Sequence, residues 1–148
     1  MIEVRGNLWT YPADVRVITT NGTVKKSGEC VMGRGCALEA KSFIPNIASY
    51  LGDCIQRNGN HVYLLGTYKG AEIYSFPVKH NWYEKADLDL IARSRNELAD
   101  LLDPIYLNDK GHVFVMPRPG CGNGQLKWED VKPILEPILD DRFHVITF

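Results

Sequence analysis

The chain has 148 residues, 45% of them apolar and 24% charged, the size and balance of one soluble globular domain with room for a real core. Its 17 basic and 18 acidic residues give a formal net charge of −1; this argues against a broad phosphate-tracking surface but leaves a pocket for one nucleotide. No apolar run approaches a membrane span, and MIEVRGNLW has no basic segment ahead of an apolar one, so a cytoplasmic protein that does not engage membranes is expected.

In chain order, short β-branched or aromatic runs predict strands at 2–5 and 15–19. The glycine-rich stretch VMGRGCAL (31–38) then leads into a helix over 34–43 and a second over 47–56, the two broken at Pro45. Strands are expected at 61–65 and 72–76, followed by FPVKHNWYEK (76–85) and a helix over 87–102 with Asp87 and Asp89 at its positive end. A strand at 112–116 runs into RPGCGNG (118–124) and a helix over 129–139, which Pro133 and Pro137 should bend or shorten; a strand at 144–147 closes the order. The unbroken apolar runs VYLL and VFVM fit strands covered on both faces. Alternating strands and helices predict a single α/β domain over 1–148, a three-layer α/β/α sandwich around a mixed, mostly parallel sheet. The first two strands have no helix between them, so antiparallel pairing is expected there.

Two glycine-rich loops therefore follow strands and precede helices, where open α/β sheets bind ligands. Bare N–H groups at a helix start suit a phosphate, and two such loops facing one crevice would hold a pyrophosphate from both sides. Glycines that serve only tight turns are the alternative. The first loop is no dinucleotide fingerprint, since Leu38 stands where a glycine is needed, and no Walker pattern is present.

Lys79 follows a strand beside His80, Trp82 and Tyr83; such a lysine can lose hydration and act as a nucleophilic amine, or be an ordinary solvated one. Cys30, Cys36, Cys54 and Cys121 have no metal-ligand spacing, so free thiols are expected, with neither zinc nor disulfides. Cys121 is a small turn-filling residue on this reading. His61, His80, His112 and His144 are scattered, and Asp14, Asp53 and Asp130 form no acid/base couple.

Together, GNLW (6–9), ADVRVITTNG (13–22), VMGRGCALEAK (31–41) and VFVMPRPGCGNGQLKWEDVKPIL (113–135) resemble, in order, the elements of macro domains, the α/β/α modules that bind ADP-ribose. FPVKHNW (76–82) is similar to the F-P-T-K-x-x-W segment of one branch, the DarG-like DNA-directed antitoxins and terminal ADP-ribose protein glycohydrolases. The resemblance implies a catalytic Lys79, adenosine against Asn7 and Leu8, and the distal ribose by Asn21. It places the diphosphate between Gly33, Arg34, Gly35, Cys36 and Ala37 and a second loop of Pro119, Gly120, Cys121, Gly122, Asn123 and Gly124, with no metal and no cofactor. An aspartate assists the lysine in the protein-directed member; the matching residue here is Gly124, as in the DNA-directed ones. Ile18 replaces a common asparagine, and GTVKKSGEC (22–30) lengthens the first loop. The implied activity is an ADP-ribosyl glycohydrolase on ADP-ribosylated DNA, acting as a monomer. A non-catalytic ADP-ribose binder and an ADP-ribose 1″-phosphate phosphatase are the alternatives.

Overall fold

The computed structural model describes residues 1–107 and 111–148. Among them, strands β1 (Ile2–Arg5), β2 (Val15–Asn21), β3 (Leu64–Tyr68), β4 (Ala71–Lys79), β5 (Phe114–Pro117) and β6 (Phe143–Thr147) form one sheet in the order β1-β6-β5-β2-β4-β3. The helices are α1 (Gly35–Phe43), α2 (Ile47–Asn58), α3 (Leu88–Leu102) and α4 (Trp128–Leu135).

The central strands are apolar on both sides because both faces are covered. On β2, Val15 and Val17 join the cluster that carries Ile91, Leu98 and Leu102 of α3 and Val131 and Leu135 of α4. Ile18 points the other way, into the cluster of Ala37 and Ala40 of α1 with Ile47 and Leu51 of α2. One strand thus feeds two cores, and the three-layer α/β/α arrangement follows.

The antiparallel pair lies elsewhere than the sequence led us to expect. β1 pairs in parallel with β6, and only β3 runs antiparallel, to β4. The turn between them is Lys69-Gly70, both at positive φ (49° and 82°), the geometry whose twist matches a two-residue hairpin. That turn also moves β3 three residues later than expected. The VYLL run is not covered on both faces: β3 is an edge strand and Leu64 is 42% exposed. The N–H groups of Val62 and Tyr63 donate to the side chains of Glu97 and Ser75 instead of to a ladder. α4 stops at Leu135, two residues before Pro137, which has no N–H to continue the ladder although Glu136 keeps helical angles (φ −55°, ψ −37°); the expected extension to 139 does not form.

β2 has β4 on one side and β5 on the other. Successive connections leave it in opposite directions, and the carboxyl ends diverge there into a crevice.

Candidate functional site

A cavity of about 320 Å³ opens over the carboxyl ends of the parallel strands. It brings together Asn7 and Leu8 after β1, Asn21 at the end of β2, Lys79 at the end of β4, residues 33–37, and Gly120, Cys121, Asn123 and Gly124 after β5. Two residues read from the sequence as ligand contacts stand outside it: Pro119 is buried beneath the loop, and Gly122 is exposed beside the cavity.

The first loop presents an open helix end. Arg34 precedes α1 in an extended conformation, makes no side-chain cap, and no acidic residue occupies the first turn. The positive end of the α1 dipole therefore faces the cavity with no side-chain cap and no acid in its first turn. Gly33 has ordinary φ, and a Cβ built on it meets nothing within 4 Å. Neither backbone strain nor packing demands a glycine there, so the bare backbone borders empty cleft.

The second loop is glycine-rich for a different reason. Gly120 has φ +75°, and a Cβ there would lie 2.8 Å from both Ile91 Cδ1 and Leu126 Cδ1. The loop first enters a 3-10 turn (Gly122–Gly124); α4 then starts at Trp128, one residue ahead of the expected 129, with Glu129 and Asp130 in its own first turn. Only the first loop aims an α-helix start at the cavity. The loops nonetheless converge: a Cβ on Gly35 would sit 3.5 Å from Asn123 Nδ2.

Lys79 lies between them. Its Nζ donates to the main-chain carbonyls of Trp82 and Asn123, each at 3.3 Å, and so ties the segment after β4 to the second loop. Its backbone is held by Asn60 Nδ2, which donates to the Lys79 carbonyl at 3.0 Å. The glycine at 124 is enforced locally, because a Cβ there would stand 2.9 Å from Ala86 Cβ. Among the described residues, the carboxylate that lines the cavity is Glu39 of α1.

Asn21 is paired in register with Lys79 across a bulge. Its amide holds the 22–33 segment, with Nδ2 donating to the Val31 carbonyl at 2.9 Å and Oδ1 accepting from Thr23 N–H at 3.0 Å. One N–H and one lone pair remain for a ligand. At the other end, Asn7 Oδ1 accepts from Trp9 N–H at 2.8 Å. The buried guanidinium of Arg16 donates through one nitrogen to the carbonyls of Leu8 (2.7 Å) and Tyr11 (2.6 Å), fixing that turn from below. Desolvation lowers the Arg16 pKa from its ordinary value.

Sequence reasoning missed Arg16, and also Arg118, which lines the cavity while stacking 4.9 Å over Trp128 and pairing with Glu3 at 3.2 Å. A charged residue within an apolar strand was the available signal for Arg16; Arg118 stood in the quoted motif, but its aim depends on the fold. Burial pushes the Cys36 and Cys121 thiols up, and that of Cys30 to about 12. All three stay protonated near neutrality, which suits small packing residues more than nucleophiles. Among the described residues no group of three or more His, Cys, Asp or Glu is placed to hold a metal ion, and no helix is long and apolar enough to cross a membrane.

No family model matches the chain. A DNA ADP-ribosyl glycohydrolase of Thermus aquaticus is 29% identical over 143 residues, 93% of this chain and 37% of that relative, so the chain spans little more than a third of its length. Among solved structures, the macrodomain of Mycobacterium tuberculosis DarG superposes with a TM-score of 0.76 at 26% identity, over 98% of this chain and 95% of that one. The Thermus aquaticus DarG macrodomain gives 0.73 at 24% identity, covering 99% and 96%. The chain has the fold of these macrodomains, and its likeness to the macrodomains of DarG runs over nearly its whole length.

Proposed function

We propose that this domain is an ADP-ribosyl glycohydrolase that releases ADP-ribose from ADP-ribosylated DNA, with Lys79 as its catalytic residue. The observation that carries the reading is the Lys79 amine, held in the cleft by the carbonyls of Trp82 and Asn123 at the junction of the two glycine loops. The diphosphate lies against the open start of α1 and the bare backbone of the second loop, where N–H donors suit its charge. Adenosine reaches toward Asn7 and Leu8, and the distal ribose toward Asn21 and Lys79.

As the bond from the anomeric carbon to the base lengthens, the Lys79 ammonium donates a proton to the leaving base; water adds to the oxocarbenium-like sugar and its released proton restores the ammonium, giving free ADP-ribose. The curated relative's name supports DNA as the modified target.

The same two carbonyl contacts favour a second reading, in which Lys79 only braces two loops of an ADP-ribose binder. The test is turnover of ADP-ribosylated DNA by wild type and Lys79→Ala, beside calorimetry with ADP-ribose. Catalysis predicts loss of release with affinity held within a few-fold. A variant that releases ADP-ribose at the wild-type rate overturns the catalytic role, and one that loses affinity as well supports the brace. Borohydride trapping separates proton donation from covalent attack, since only attack on a ring-opened sugar leaves a reducible adduct. An arm with ADP-ribose 1″-phosphate tests the phosphatase.

A further inference from the structure

We infer that the Trp82–Tyr83 pair is a stacking platform for an unpaired base of single-stranded DNA beside the ADP-ribosylated nucleotide, an inference that rests on the reading of the cleft just given. Trp82 is 49% exposed and Tyr83 69% exposed, their rings edge to face at 5.7 Å. Two large adjoining rings left in water are unusual, because burying them is worth more to a fold than almost any other side chain.

The segment beneath the rings is anchored at each step. The Trp82 carbonyl accepts from Lys79, and Trp82 N–H donates to Thr23 Oγ1 at 3.0 Å. Asn81 is tied to Glu84 through side chain and backbone, and His80 Nε2 to Asp87 Oδ2 at 2.8 Å. Exposed rings on a braced turn form a preorganised surface, and this one begins three residues beyond the proposed catalytic amine. Any base can stack on such a face, provided that it is not already stacked in a duplex.

The charge nearby fits the phosphates of a strand. Thr23, the partner of Trp82, leads into exposed Lys25 and Lys26, and Lys85 follows the rings. Glu29 and Glu84 oppose them, the latter already holding Asn81. The loop that carries Lys25 and Lys26 is fixed: a Cβ on Gly52 of α2 would fall 1.9 Å from the Gly28 carbonyl oxygen, and Cys30 N–H donates to Ala48 O at 2.9 Å. Rings exposed in this way can stack only on a base that is not already stacked in a duplex, so the occupant is a single strand.

The experiment compares kcat/KM for three substrates: an ADP-ribosylated single-stranded oligonucleotide, the same strand annealed to its complement, and the ADP-ribosylated mononucleoside. Tyr83→Ala should lower kcat/KM for the single strand on the order of 10-fold, and leave the mononucleoside at the wild-type value. Tyr83→Phe should restore the single strand, and Lys26→Ala should weaken it most at low salt. Equal effects of Tyr83→Ala on the single strand and the mononucleoside, or none on either, overturn the platform. If wild type cleaves none of the substrates, the glycohydrolase reading fails, and equilibrium binding decides this one separately. The ADP-ribosylated single strand should bind more tightly than ADP-ribose, with Tyr83→Ala removing the difference; no difference in wild type refutes the platform.

Discussion

At the scale of single residues, the glycines of the two loops divide by what surrounds them. Gly33 adjoins open cleft at ordinary backbone angles, whereas Gly120 combines φ +75° with neighbours 2.8 Å from any added carbon. Gly33→Val should therefore leave the melting temperature within about 2 °C of wild type, in line with substitutions that disturb no packing, yet weaken ADP-ribose binding at least 10-fold in calorimetry. Gly120→Ala should lose about 2 kcal/mol of stability in urea unfolding, from overpacking and a left-handed backbone that alanine resists. The same logic explains why a carboxylate is not simply restored at position 124: Gly124→Asp drives its Cβ into Ala86, and destabilisation is expected instead of assistance to Lys79. Thiols raised by burial should make no chemical contribution, so Cys121→Ala should retain full turnover.

At the scale of elements, the segment 80–87 sets the position of Lys79, and Asp87 closes it. Asp87 caps α3 by accepting from Asp89 N–H at 2.9 Å, and accepts a second bond from His80. These bonds hold its carboxyl below the usual aspartate range, the His80 contact being the largest cause. A depressed carboxylate stabilises the fold above its unfolded value near 3.8, and that stability is lost as pH falls through the lower folded value. Asp87→Ala should cost about 1 kcal/mol at pH 7. Asp87→Asn should keep most of the cap and flatten this part of the acid limb, measured as unfolding free energy from pH 6 to 3. The helix N-terminus beside Asp87 was legible because an aspartate and a periodic apolar face announce it. The 3-10 turn at Gly122–Gly124 was not, because closely spaced glycines read as an open loop until the chain is seen to double back, Leu126 N–H bonding the Gly120 carbonyl at 3.0 Å.

For the molecule as a whole, the cleft exists because β2 sits between β4 and β5, and its lining draws on strand ends, α1 and both glycine loops. ADP-ribose at 100 times its Kd should add about 2.7 kcal/mol by mass action, a rise of roughly 5–10 °C in melting temperature for a domain this size. Lys79→Ala should keep that rise and Gly33→Val should lose it, which a thermal melt with and without ligand reads directly.

Local chemistry alone indicated most strands, the helices and the paired glycine loops, because periodicity, turn residues and capping act over a few neighbouring positions; attention to Lys79 as catalytic came from the F-P-x-K resemblance and not from its neighbours. Only tertiary structure decided that β3 is an edge, that Arg16 braces the turn under Leu8, and that the Lys79 amine reaches Asn123, 44 positions away in sequence. Those facts depend on which strands become neighbours, and strand order is chosen by the packing of two cores that no short stretch of sequence contains.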